Sequence, residues 1–393
     1  MWLGKTKEVD TQGDFGYLAP GSYYFDSACQ TLRPSQVIEA QRSYFETFNA
    51  CGGRVSYPWG EKVDEITEHV RTAMLDYFEL SAKEYAVSFT LNTTYGINLL
   101  LSQLPRGKYA RVVTSEIEHN SVFLPTISLA KRLGIPRVIL SRAEDGALRY
   151  EPSDLERAIV VVNARSNFDA QALHNLHELV QDTHAKGGIV ILDAAQAATH
   201  EPALLRGCGA DAIVASAHKM YGPSLGVMTV RIALLNELEL SFVGGGMVRD
   251  VEEDSFLPSI EPHDRLEPGL QNYSGIVGFD AAMPRLAAYE ASGKEAKLTT
   301  QLSKSLSELP LTLITSKPSS IVSFYSEKVD SNRLALFLAG QGVMVRSGYF
   351  CCHYYLQKVK QYPPLVRFSL GAHNTEEDIT HAISIVKTIL NNI

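Results

Sequence analysis

Short apolar runs rich in β-branched residues recur through the first two-thirds of the chain. They are "YAVSFTL" near 85–91, "ARVVTS" near 110–115, "PRVILS" near 136–141 and "AIVVVN" near 158–163, then "GIVILDA" near 188–194, "DAIVAS" near 211–216 and "GVMTVR" near 226–231. Their apolar positions run nearly continuously, the pattern of strands covered on both faces. Between most of them lie helix-period stretches such as "TTYGINLLLSQL" and "QALHNLHELVQDTHAKG". This alternation predicts an α/β fold with a mostly parallel, seven-stranded sheet. The pattern changes after about residue 235. "VGGGMVRD" and the proline-containing stretch to "EPGLQNYSG" are polar, and a long helical pattern follows. "SIVSFYS", "VMVRSG" and "LVRFSL" then predict short strands of a smaller α+β lobe. "TEEDITHAISIVKTILNNI" predicts a closing helix with Thr375 as its N-cap. The expected division is an N-terminal segment over 1–30, a large domain over 31–265 and a small domain over 266–393.

Composition narrows the classes. The 393 residues are enough for a large core, and 45% hydrophobic with 20% charged residues is ordinary for a soluble globular chain. The net charge of −8 comes with no basic block, which argues against nucleic-acid binding. The N-terminus is polar, without the apolar core of a signal peptide, and no apolar run reaches the ~18 residues of a membrane span. Five scattered cysteines, with no paired metal-ligand spacing, predict free thiols in a reducing cytoplasm and no zinc site.

In open α/β sheets ligands bind beyond the carboxyl ends of the strands. Here those ends are polar. "FTL" is followed by Asn92, Thr93 and Thr94 opening a helix, a setting suited to phosphate. His119 follows "VVTSEIE"; Ser166 and Asn167 follow "VVVNAR"; Asp193 and Gln196 follow "GIVIL". Ser216, His218 and Lys219 follow "AIVA". Singly, each has a plain alternative: a helix cap, an interior histidine, a turn aspartate, a surface lysine. Together they converge on one sheet edge.

The ordered set "YYFDSACQTLRPSQVIEA", "TLNTTYGIN", "EHNSVFLP", "RSNF", "ILDAAQAATH", "SAHKMYGPSLG", "RSGYFCCHYYL" and "VRFSLGAHNTEEDI" spans nearly the whole chain. It resembles the class V aminotransferase family of pyridoxal-phosphate enzymes, most closely its cysteine desulfurase and selenocysteine lyase branch. The resemblance implies that Lys219 bonds covalently to pyridoxal 5'-phosphate and later moves protons. It implies Asp193 at the pyridine nitrogen, Gln196 and Asn167 at the ring hydroxyl, and His119 stacked on the ring. Thr93, Thr94, Ser216 and His218 would hold the phosphate, and Arg367 would clamp the substrate carboxylate through its planar fork.

In desulfurases the spacing Arg-x-Gly-x-x-Cys carries the nucleophile, and here it gives Arg346, Gly348 and Cys351, with Cys352 one residue beyond. On this resemblance Cys351 takes sulfur from L-cysteine as a persulfide, alanine leaves, and the sulfur passes to an acceptor protein from a homodimeric enzyme. Free cysteines are also commonly buried, so a structural Cys351–Cys352 pair is the alternative. Under it the chain is a cysteine or cystine carbon–sulfur lyase, or an aminotransferase without cysteine chemistry; a non-catalytic scaffold is a further alternative. The chain departs from the family pattern at Ser27, where asparagine is usual, and at Leu270, where a threonine reaches a phosphate across a dimer. It departs again at Tyr349 and Phe350, and in "NACGGRVSYPWG".

Overall fold

The computed structural model describes residues 13–53, 55–315 and 318–392; the polar residues 1–12, part of the stretch read above for a targeting signal, lie outside them. β1 (Tyr23–Tyr24), α1 (Ser35–Thr47) and α2 (Pro58–Tyr77) come first. The large sheet follows as β2 (Tyr85–Thr90), β3 (Arg111–Ser115), β4 (Arg137–Leu140), β5 (Ala158–Asn163), β6 (Ile189–Asp193), β7 (Ala212–Ser216) and β8 (Gly226–Arg231). Its connections carry α3 (Thr93–Ser102), α4 (Asn120–Leu133), α5 (Leu176–Ala185) and α6 (Ala197–His200), and α7 (Ile232–Glu237) leaves it.

The sheet order is β2-β8-β7-β6-β5-β3-β4, and all seven strands fall where the apolar runs predict. Every residue of β5, β6 and β7 is buried, which is why these runs show no alternation. β8 is antiparallel to both β7 and β2, while the remaining pairs are parallel, so one strand opposes the other six. That reversal has a local consequence. β7 and β8 form a hairpin, so residues 217–225 stay at the carboxyl end of β7 instead of crossing over the sheet.

A small hairpin, β9 (Val248–Val251) with β10 (Phe256–Pro258), precedes α8 (Tyr273–Ser292). Ile276, Phe279, Ala282, Met283 and Leu286 of α8 belong to the same apolar cluster as Val87, Val190 and Ile213 of the large sheet. Beyond Gly293, whose φ of +62° ends α8, come α9 (Lys294–Ser307), β11 (Thr312–Leu313), β12 (Ile321–Tyr325) and α10 (Ser331–Ala339). β13 (Val343–Met344), β14 (Arg346–Gly348), β15 (Leu365–Ser369) and α11 (Glu376–Asn391) complete the chain. The small antiparallel sheet has the order β11-β12-β15-β14. Leu298, Leu302, Leu334, Leu338, Ile379 and Val386 pack on its Val322, Phe324, Val366 and Phe368. Thr375 caps α11 in a capping box with Asp378, as the sequence predicts. The N-terminal segment is stitched to this lobe: β1 pairs with β13, and Asp26 bridges Ser369.

One buried ion pair fastens the segment ahead of α8 to the large lobe. Glu267 accepts from Arg71 Nη1 and Nη2 at 2.8 Å each, and its Oε1 accepts from the Phe89 amide of β2 at 2.6 Å. Burial pushes the Glu267 carboxyl up, and Arg71 opposes that shift. Arg71→Met is expected to lower the unfolding free energy by about 3–5 kcal/mol, the usual cost of stranding one partner of a buried pair. Adding Glu267→Leu should recover part of the loss. Equilibrium urea unfolding of the three chains checks both.

Candidate active site

The carboxyl end of β2 turns at Asn92, whose side chain accepts the Tyr95 amide at 2.9 Å and so caps α3. This points the first turn of α3 at the hairpin loop after β7. Ser216 Oγ accepts the Thr93 amide at 3.1 Å and lies 2.6 Å from Thr93 Oγ1. Thr94 Oγ1 lies 2.6 Å from Ser121 Oγ on α4. The strands approach closely because β8 starts with Gly226. A Cβ there would stand 2.3 Å from Thr90 Oγ1 and 2.7 Å from the Asn92 carbonyl carbon. Hydroxyls at a helix N-terminus make a cup for an anion.

His119 caps α4, its Nδ1 accepting the Ser121 amide at 3.1 Å. That bond leaves the proton of the neutral ring on Nε2. Burial, reinforced by Lys219 and Arg367, holds its pKa down to about 3, so the ring is neutral in ordinary buffers. The residue before it, Glu118, is buried and takes hydrogen bonds from the Asn163 amide at 2.7 Å, Asn163 Nδ2 at 2.8 Å and Ser115. Arg142 faces the same carboxylate at 3.3 Å. This network fixes the backbone from which His119 projects.

The loop 217–225 is pinned by Thr31. The carbonyl of His218 accepts the Thr31 amide at 3.0 Å, and Thr31 Oγ1 accepts the Tyr221 amide at 2.9 Å. Thr199 Oγ1 donates to the Lys219 carbonyl at 2.8 Å. Lys219 therefore presents its amine from an immobilised turn. Burial lowers its pKa, Asp193 opposes the shift, and Arg367 adds to it. Burial likewise pushes Asp193 up, against the pull of Lys219, while the Ala195 amide donates to its Oδ1 at 2.9 Å. His218 is driven down to about 4, chiefly by burial. Gln196, 3% exposed, donates from Nε2 to the Ala28 carbonyl at 2.7 Å, and its Oε1 has no partner.

The opposite wall comes from the small lobe. Arg367 donates from Nη2 to Asp26 at 2.9 Å and from Nη1 to the Asn167 carbonyl at 2.9 Å, and its Nε is free of partners. Phe350 and Cys351 both have left-handed backbones, with φ of +48° and +60°. The Cys351 carbonyl accepts the Asn120 amide at 2.6 Å. The twist turns Cys351 outward and Cys352 inward: Cys351 is exposed, whereas Cys352 is buried with Sγ 2.9 Å from Asn167 Oδ1. Burial pushes the Cys352 thiol well above its ordinary range.

Thr93, Thr94, His119, Asn167, Asp193, Gln196, Ser216, His218, Lys219, Cys351 and Arg367 all line one cavity of about 700 Å³. The Asn167 side chain is already occupied, its Nδ2 donating to the Phe350 carbonyl at 2.8 Å and its Oδ1 facing Cys352. Arg346, from the Arg-x-Gly-x-x-Cys spacing, lines the cavity too, as do Ser121, Cys29 and Asn163, the last two without any signal in the sequence. Asp26 is a further site residue unread in the sequence, since its partners Arg346 and Arg367 lie more than 300 positions away. Ser121 had a legible signal, a hydroxyl two residues after His119 at a helix start.

The donor set fits pyridoxal phosphate. It offers a neutralisable amine, a buried carboxylate, an orphaned amide oxygen and a hydroxyl cup at a helix N-terminus. Residues 23–381 match the family model described as "Aminotransferase class-V". A probable cysteine desulfurase of Pasteurella multocida is 29% identical over 395 residues, covering 96% of this chain and 91% of that protein. The apo structure of a cysteine desulfurase from Thermococcus onnurineus superposes with a TM-score of 0.87 at 26% identity, covering 98% of this chain and 99% of that one. The fold is also that of the cystine C–S lyase C-DES, with a TM-score of 0.77 at 19% identity over 95% of this chain and 99% of that one. The chain belongs to the class-V aminotransferases, a family of enzymes whose cofactor is pyridoxal 5'-phosphate.

Proposed function

We propose that the chain is a cysteine desulfurase. It converts L-cysteine to L-alanine, leaves sulfane sulfur on Cys351, and passes that sulfur to an acceptor protein. The observation that carries this reading is the placement of Cys351, exposed on a twisted loop at the wall of the cavity that holds Lys219. Cys352 is unsuited to the role, because burial keeps it a neutral thiol.

In this reading Lys219 attaches the cofactor, Asp193 sits at its ring nitrogen, Gln196 faces its ring hydroxyl, and Thr93, Thr94, Ser216 and His218 take its phosphate. Asn167 contributes to this wall by holding the Phe350 carbonyl rather than by a free amide. When bound, pyridoxal phosphate supplies an electron sink for the pair released as substrate bonds break. Arg367 meets the substrate carboxylate. Lys219 and the neutral His119 hold and return protons at the substrate carbons. The Cys351 thiolate attacks the substrate sulfur. A sulfur–sulfur bond forms, the carbon–sulfur bond breaks with its electrons on carbon, and that carbon is protonated to give alanine.

The small domain in this proposal begins at Gly293, after α8 has packed on the large lobe. The working unit is a homodimer. Phe242, Val243 and Leu257 are exposed, and Ile260 and Leu270 are 76% and 74% exposed, a concentration of apolar surface that suits a second copy. The five cysteines are all free, in keeping with a reducing cytoplasm. No helix of the described residues is long and apolar enough to cross a membrane.

With the cofactor-loaded enzyme and L-cysteine, alanine is the expected product, and Cys351→Ala should abolish its formation. Pyruvate, ammonia and sulfide from both chains would instead mean a lyase. His119→Asn should lower kcat by roughly 10²–10⁴-fold, the range for a lost proton-transfer group. Because His119 is held near 3, its neutral form is present throughout the working range, so the acid limb of kcat/KM should not fall at the ordinary histidine value. A wild-type limb near 6.5 that His119→Asn removes would refute the assignment. Ile260→Asp with Leu270→Asp should shift sedimentation from dimer to monomer.

A further inference from the structure

Two of the five cysteines line the active-site cavity, Cys351 and Cys29. The others stand apart from it: Cys208 is in the core of the large lobe, Cys352 is buried on Asn167, and Cys51 is not in the cavity wall. Cys29 follows Ala28, whose carbonyl holds Gln196. Its Sγ receives a 2.8 Å hydrogen bond from Arg346 Nη2, and the same guanidinium holds Asp26 Oδ2 at 2.7 and 3.0 Å. The other oxygen of Asp26 holds Arg367, whose guanidinium carbon lies 4.8 Å from the centre of the Phe350 ring, next to Cys351. The two thiols thus flank a single arginine–aspartate–arginine unit. The space they share is built for a polar ligand, because Arg367 is 2% exposed and its Nε has no protein partner. The Arg346 hydrogen bond holds the Cys29 sulfur at the cavity wall.

We infer that Cys29 is a second sulfur acceptor, taking sulfane sulfur from Cys351 by exchange inside the cavity. This rests on the desulfurase reading. The Cys29 thiolate attacks the outer sulfur of the Cys351 persulfide. A sulfur–sulfur bond forms to Cys29, the bond to Cys351 Sγ breaks, and Cys351 leaves as a thiolate. One persulfide and one thiolate enter and one of each leaves, so no oxidant or reductant is needed. Cys351 is then free for another substrate while the first sulfur is kept under Arg346. A chain without acceptor can therefore carry sulfur on both thiols.

The test uses the cofactor-loaded enzyme and one equivalent of L-cysteine without acceptor. The reaction is quenched at intervals by alkylation, and the modified peptides are read by mass spectrometry. Sulfane sulfur is expected on Cys351 first and on Cys29 afterwards, with the Cys29 signal lost in Cys351→Ser. Cys29→Ser supplies the control for peptide assignment. Sulfur confined to Cys351 at all times overturns the relay and leaves the desulfurase reading standing. Sulfur on Cys29 that persists in Cys351→Ser overturns the relay too, since Cys29 would then take sulfur directly. Sulfur on neither thiol overturns both the relay and the desulfurase reading.

Discussion

Asp26 is the charge on which the cavity depends. Arg346 of β14 and Arg367 of β15 are directly opposed in the small sheet, an arrangement of like charges that opposes pairing. Asp26 enters from the N-terminal segment and takes both, one on each carboxylate oxygen. Burial lowers the Arg367 pKa, and Asp26 is the largest influence restoring it. Removing the carboxylate would leave two guanidinium groups facing each other, one of them buried. The cost of burying Arg367 is thus offset by a residue from a different part of the chain, and the N-terminal segment becomes part of the site. Ser369 reinforces this by accepting the Ala28 amide and donating its own amide to the Phe25 carbonyl.

The large sheet was legible because strands buried on both faces advertise themselves as unbroken apolar runs. The residues at the carboxyl ends of those strands were legible for a linked reason, since parallel strands must point their polar exits at one edge. The direction of β8 was not legible, because an apolar run carries no sign of its polarity. Its reversal is what keeps Lys219 at the edge, in a hairpin loop between β7 and β8. The packing of α8 was not legible from its position along the chain either. It follows the polar loop at which the apolar strand pattern ends, yet Ile276, Phe279 and Met283 pack back into the large lobe. Sequence separation hides such returns, as it hid the meeting of Asp26 with Arg367.

Asn167 shows that lying in the cavity wall is not the same as offering a free amide to it. Its position after β5 puts it in the cavity wall, where the family pattern expects it. Its amide is nevertheless spent on Phe350 and Cys352, both more than 180 residues later. No local pattern encodes that pairing. It follows from the closure of the small lobe over the large one.

The same bonds decide which of two adjacent cysteines faces solvent. A non-glycine residue in the left-handed region costs roughly 1–2 kcal/mol, and here Phe350 and Cys351 adopt it in succession. The surroundings hold them there. Asn167 takes the Phe350 carbonyl, the Asn120 amide takes the Cys351 carbonyl, and the Cys352 amide bonds Tyr349 at 2.8 Å. Phe350 itself is buried beside Arg367. With the backbone twisted this way, consecutive side chains diverge: the Cys352 thiol is buried on Asn167 and the Cys351 thiol is exposed at the cavity wall. An untwisted loop would release the Asn167 and Asn120 contacts and free both thiols to compete. The loop therefore stores strain that leaves one of two adjacent thiols at the cavity wall, and groups on the large lobe hold it in that state.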